Sequence, residues 1–339
     1  MNDPQPEGHM ASHIGRRKFL VTLLGGAAAA WLLAARAQQP AMPVIGFLDV
    51  ASAGERTQMV AAFRQGLADG GFVEGRNVVT EFRWADGQYD RLPELVADLV
   101  RRQVSVIATP GTTAAGLAAK AATTTIPIVF GVAGDPVKLG LVASLNRPGG
   151  NATGVNFFAN ELVAKRMQLL REIVPAASRI ALLLNPSDPA NETTERDIEA
   201  AAGGRQILVL QATTSHEIDA AFARLAREKA DALFVAPGSL FAARRVQLAI
   251  LAAHHHLPAV YAGLAYVEAG GLVGYGTELP ETYRQVGLST ARILKGVKPA
   301  DLPVLQATKF QLAINLNTAR ALGITIPPSL LAVADQVIE

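Results

Sequence analysis

Residues 104–136, VSVIATPGTTAAGLAAKAATTTIPIVFGVAGDP, read as strand, turn, helix and strand in immediate succession. The β-branched run at 104–108 ends in Thr109-Pro110-Gly111-Thr112-Thr113, a breaker pair followed by two hydroxyls that open an alanine-rich helix over 113–122. A second continuous apolar run occupies 128–132. Asp135-Pro136 then has the form of an N-cap with proline at the first helical position. Strands that are apolar throughout, joined by helical crossovers, belong to a parallel sheet covered on both faces.

The same rhythm extends in both directions. Further strands are expected at 44–48, 78–82, 180–184, 207–210, 232–235, 259–261 and 272–275. Helices are expected at 57–69, 92–102, 159–173, 193–201, 216–228, 240–254 and 281–295. One series ends at the breaker cluster Pro148-Gly149-Gly150-Asn151 and a second begins at Glu161. The expected fold is therefore α/β, with two doubly wound, Rossmann-like parallel-sheet lobes and a hinge. The strand at 272–275 and the helix after it come late for the second lobe alone and are assigned to the first. Residues 41–156 plus 264–297 then form lobe 1, and 157–263 plus 298–339 form lobe 2.

Composition narrows the function classes. The 339 residues include no cysteine, which removes disulfides, thiolate zinc sites, iron–sulfur clusters and a cysteine nucleophile. Arg16, Arg17 and Lys18 precede an uncharged apolar run of 15 residues, 19–33, and Ala35-Arg36-Ala37 supplies the small residues of a cleavage site. The run is shorter than the ~20 residues of a membrane-spanning helix. Residues 1–37 thus read as an export signal peptide of twin-arginine type, cleaved after Ala37 and leading to the periplasm; an ordinary secretory route remains the alternative. The leader carries four basic and two acidic residues, so the formal charge of +2 belongs to it. The remainder is balanced and gives no reason to expect nucleic acid.

In open parallel sheets, ligands bind beyond the carboxyl ends of the strands, where helix N-termini aim unpaired N–H groups. The residues at those ends are Ser52 after the first strand, Pro110, Gly111, Thr112 and Thr113 after the third, and Asp135 after the fourth. In the second half they are Asn185, Ser187, Gly238 and Tyr261. Each alone suits a cap or a turn, a role worth ~1 kcal/mol. Together, facing one another across a cleft, they suit a small polar solute. His254-His255-His256 is a poor metal tract, because consecutive helical side chains diverge by ~100°. There is no G-x-S-x-G elbow, P-loop or G-x-G-x-x-G, and no catalytic, metal or cofactor site is expected.

The blocks at 43–52 (PVIGFLDVAS), 63–78, 126–156, 182–191 (LLLNPSDPAN) and 291–339 carry a resemblance over nearly all of the exported chain. Its most specific strings are DPVKLGLV at 135–142 and PGGNATGV at 148–155. The sequence resembles the ABC-transporter substrate-binding proteins of the type I periplasmic binding fold, in the subfamily that includes aromatic-amino-acid binders of tryptophan type. The resemblance implies a monomer that traps a solute between two lobes and delivers it to an ABC permease in the inner membrane. It adds Asn156, at the hinge strand, to the ligand-binding positions.

The sequence departs from the tryptophan type after Val235, where it has Pro237-Gly238-Ser239-Leu240 in place of the Asp and Asn those binders tend to offer. An ammonium needs anionic or carbonyl acceptors, and among the positions above Asp135 is the one strong acid left. An aromatic amino acid, another small carboxylate and a heterocycle all stay open as ligands. A periplasmic sensor or a periplasmic enzyme on the same scaffold are the alternative functions.

Overall fold

A computed structural model of the chain describes residues 42–157, 162–191 and 194–339. The export leader expected at 1–37 lies outside these residues. The strands are β1 (Val44–Asp49), β2 (Val79–Trp84), β3 (Val106–Thr109), β4 (Ile128–Val132), β5 (Ala152–Asn156), β6 (Arg179–Leu184), β7 (Gln206–Gln211), β8 (Ala232–Val235), β9 (Ala259–Tyr261), β10 (Val273–Thr277), β11 (Leu305–Gln306), β12 (Phe310–Asn315) and β13 (Gln336–Ile338). They form two sheets, in the orders β11-β5-β4-β3-β1-β2 and β13-β12-β10-β9-β8-β6-β7. All pairs are parallel except β10 with β12.

Both sheets are wound outward in two directions from an early strand. The direction reverses between β1 and β3 in the first sheet and between β6 and β8 in the second. Those reversals open the crevices in which doubly wound proteins bind ligands. Helices cover both faces of each sheet, as the continuous apolar strands require: β3, β4 and β8 are buried at every position. On one face of the first sheet Leu48, Ile107 and Phe130 pack with Leu99, Ala115 and Ala119 of the helices Leu92–Arg101 and Thr113–Ala122. On the other face Phe47, Val106 and Val129 meet Phe63, Leu67 and Val286.

The structure corrects three expectations. The late strand is β10, and it stays in the second sheet, where Val273 pairs with Val260 and Ile314. The link from β9 contains only the five-residue helix Leu264–Glu268, too short to carry the chain back. The helix after β10, Leu279–Leu294, does return to the first sheet. It crosses Thr57–Asp69 so closely that a Cβ on Gly66 would overlap the Arg284 carbonyl, and one on Gly287 the Phe63 carbonyl. The segment Leu305–Gln306 also belongs to the first sheet, as β11 beside β5, rather than to the second.

Second, the helix expected at 240–254 is two helices, Ser239–Ala243 and Arg245–His254, divided at Arg244 (φ −97°, ψ 18°). Neither glycine nor proline announces that break. Third, Asp135 is followed by a turn instead of a helix. Its carboxylate accepts from the amides of Val137 (2.8 Å) and Lys138 (3.4 Å), and the turn ends at Gly140 with φ +71°.

The chain passes between the sheets after β5, after β10 and after β11. The crossing segments are tied side by side. The Thr277 hydroxyl donates to the Phe157 carbonyl (2.5 Å), and the Ala307 amide to the Asn156 carbonyl (2.9 Å). Among the described residues no helix is long and apolar enough to cross a membrane.

Candidate functional site

Between the carboxyl ends of the two sheets lies a cavity of about 380 Å³, within the ~300–1,000 Å³ range of small-molecule sites. Its wall on the side of the first sheet is built around a buried carboxylate. Asp49, the last residue of β1, is fully buried. Its Oδ1 accepts from the Ala51 amide (2.9 Å) and its Oδ2 from the Tyr283 hydroxyl (2.7 Å). Arg56 approaches Oδ2 to 3.4 Å through Nε, an ion pair longer than a good hydrogen bond, and lines the cavity. Burial works against the charge on Arg56. Tyr283, Asp49 and Glu55 outweigh it and hold the guanidinium well above its ordinary range. Asp49 thus keeps a nearly buried cation at the cavity wall.

The helix Thr113–Ala122 points its N-terminus at the same region. The Thr112 side chain caps it by accepting from the Ala115 amide (3.3 Å), and the Thr113 hydroxyl accepts from the Ala133 amide (3.2 Å). Gly111 fills a place where a Cβ would overlap the Tyr283 hydroxyl and lie 2.8 Å from Asp49 Oδ2. Replacing Thr112 by alanine removes the cap and is expected to cost about 1 kcal/mol, read as a lower urea midpoint at unchanged slope.

On the side of the second sheet, the turn after β6 carries Asp188, only 5% exposed and lining the cavity. The turn is held by its own polar groups: Asn185 Oδ1 accepts from the Ser187 amide (2.9 Å), and the Asp188 carbonyl from the Asn191 amide (2.9 Å). Asp188 Oδ2 also accepts from the Tyr89 hydroxyl at 3.0 Å. Gly238 and Ser239 after β8 continue the wall, followed by Tyr266, whose ring stacks on Tyr261 (5.1 Å, 18°). Arg166 lies beneath, fully buried, donating Nε to the Tyr275 carbonyl (2.6 Å). Burial brings its pKa down to about 10, so it stays protonated at neutral pH. Met59, Phe157 and Leu264 supply apolar surface.

Four of the sequence-predicted positions line this cavity: Gly111, Thr112, Thr113 and Gly238. The others stand beside it. Pro110 and Asn156 are buried behind the wall, Asn185 is occupied in its turn, Ser187 is exposed, and Asp135 caps its own turn away from the cavity. Ser52 gives its amide to Glu55 (3.0 Å), and Tyr261 supports Tyr266 from within the core. Sequence reasoning missed Arg56 and Asp188. The first lies four residues beyond Ser52, where a short helical turn brings it back over β1. The second directly follows Ser187 in the block at 182–191. The turn after β6 thus brings a buried acid to the cavity, where the segment after β8 has none. Among the described residues no group of three His, Asp or Glu side chains is placed to hold a metal ion. His255 stacks on Phe222 (5.8 Å, 29°) at its helix end.

A family model described as "ABC transporter substrate binding protein" matches residues 44–338. A tyrosine-binding protein of Clostridioides difficile (strain R20291) is 26% identical over 262 residues, covering 77% of this chain and 75% of the relative. Among solved structures, an ABC domain in complex with L-Trp from Streptococcus pneumonia is 26% identical, with a TM-score of 0.79 over 88% of this chain and 100% of that one. The ligand-free, open structure of a substrate-binding protein with adhesive properties from Clostridium difficile is 25% identical, with a TM-score of 0.61 over 87% of this chain and 99% of that one.

Proposed function

This chain belongs to the ABC transporter substrate-binding protein family, with the type I periplasmic binding fold, and on that premise we propose that its cavity takes an aromatic α-amino acid. The observation that carries this reading is the pairing of opposite charges on one cavity. A buried guanidinium, Arg56, comes from the first sheet, and a buried carboxylate, Asp188, from the second. Arg56, with the N-terminus of the helix Thr113–Ala122, suits a carboxylate, and Asp188 suits an ammonium. Phe157, Tyr266 and Met59 give the side chain an aromatic and apolar lining. Relatives that bind tyrosine and tryptophan support the same ligand class.

In this reading the two sheets with their helices act as lobes about the crossings that follow β5, β10 and β11. The ligand favours the closed state by adding contacts to the second lobe after binding the first. At nearly equal identity and coverage, the chain matches the tryptophan-bound structure better than the open one, which supports a closed arrangement. The protein is exported through its leader, binds without chemical conversion of the solute, and presents the closed form to a permease as a monomer.

Calorimetry on the exported chain tests the ligand class. L-Trp, L-Tyr and L-Phe are expected to bind with Kd of about 1 μM, equivalent to about −8 kcal/mol. Tryptamine, which lacks the carboxylate, and indole-3-propionate, which lacks the ammonium, are expected to bind at least about a hundredfold more weakly. Equal affinity for an amino acid and both analogues, or no binding by any of the three amino acids, removes this reading.

A further inference from the structure

Tyr89 is absent from the cavity wall, yet it joins the two halves of the molecule. It sits in the turn Tyr89–Arg91 after β2, half-buried, its ring packed against the core of the first sheet. Its hydroxyl reaches the turn after β6 in the second sheet and donates to Asp188 Oδ2 at 3.0 Å, 99 positions along the chain. The Ser239 hydroxyl lies against the same phenol. A hydrogen bond between groups rooted in different sheets exists only while the sheets are apposed.

From this geometry we infer that Tyr89 is a positioning residue: its hydroxyl clasps the Asp188 carboxylate on closure, fixing the acid toward the ligand and prolonging the closed state. The inference rests on the ligand reading for what Asp188 binds, while the clasp itself rests on the contact across the cleft. Burial, and then the adjacent Asp188 charge, hold the phenol protonated far above the ordinary tyrosine range, so it remains a donor at physiological pH. A donor to a carboxylate favours its ionised form and restricts its rotation. An ammonium therefore meets an acid already oriented, and loss of the clasp acts after encounter.

The test is Tyr89→Phe, which keeps the ring against the core and removes only the hydroxyl. Stopped-flow binding of L-Trp is expected to show the dissociation rate raised about tenfold to a hundredfold, with the association rate within about a factor of two of the parent. The clasp favours the closed state with or without ligand, so the ligand-free variant is expected to have a larger radius of gyration than the ligand-free parent by small-angle scattering. An unchanged dissociation rate, or a loss confined to association, overturns the clasp. If the parent binds no amino acid, the ligand reading fails by itself and the scattering comparison decides the clasp: a larger radius for the ligand-free variant supports it, and an unchanged radius overturns it.

Discussion

Asp188→Asn is expected to weaken L-Trp binding by about a hundredfold or more, while indole-3-propionate binding changes by no more than about threefold. The substitution is nearly isosteric and leaves an oxygen that still accepts from the Tyr89 hydroxyl, so the turn after β6 keeps its anchor. What disappears is the negative charge, 5% exposed at the cavity. An ammonium buried against an amide loses the Coulombic term that offsets its desolvation. Truncating one member of a buried charge pair costs about 2–5 kcal/mol, the basis of the expected factor. The acid without an ammonium never used that charge. Paired titrations by calorimetry separate the cases, and an equal loss for both ligands would assign Asp188 to the shape of its turn.

Asp188 also shows where the sequence stops being readable. The alternation of apolar runs and alanine-rich helices was enough for the two parallel sheets, because strands buried on both faces leave a continuous signature. Whether a late strand closes one sheet or another depends on partners remote in the chain. β10 belongs to the second sheet beside β12, which begins 33 residues after β10 ends and pairs antiparallel, an arrangement no local pattern announces. The division at Arg244 and the turn after Asp135 failed for a related reason: the residues satisfy helix rules locally, and packing overrides them. At the site, reading the strand ends found the backbone frame at Gly111–Thr113 and Gly238. It could not find the charges. Arg56 is recognisable only once Asp49 and Tyr283, 234 positions apart, are seen to meet beside it. Asp188 is recognisable only once Tyr89 lies across from it.

The Asp49–Arg56–Tyr283 cluster yields the largest expected change in stability. Asp49→Ala is expected to lower the unfolding free energy by about 3–5 kcal/mol, measured by urea denaturation of the ligand-free protein. Two groups lose their partner at once: the Arg56 guanidinium, 7% exposed, and the Tyr283 hydroxyl, which donates to Asp49 Oδ2 at 2.7 Å. A buried cation left without its counter-ion is the costly half, because the alanine that replaces Asp49 beside Gly111 and the Leu279–Leu294 helix offers the guanidinium no acceptor. The charge explanation makes a further demand. Adding Arg56→Met to Asp49→Ala is expected to recover about 1–3 kcal/mol, since an apolar side chain needs no counter-ion. The double variant should regain stability without regaining L-Trp binding, because the guanidinium proposed to receive the ligand carboxylate is gone. Additive losses in the double variant would mean that Asp49 serves the fold through Tyr283 and the Ala51 amide alone, leaving Arg56 to be held at the cavity by something other than its carboxylate neighbour.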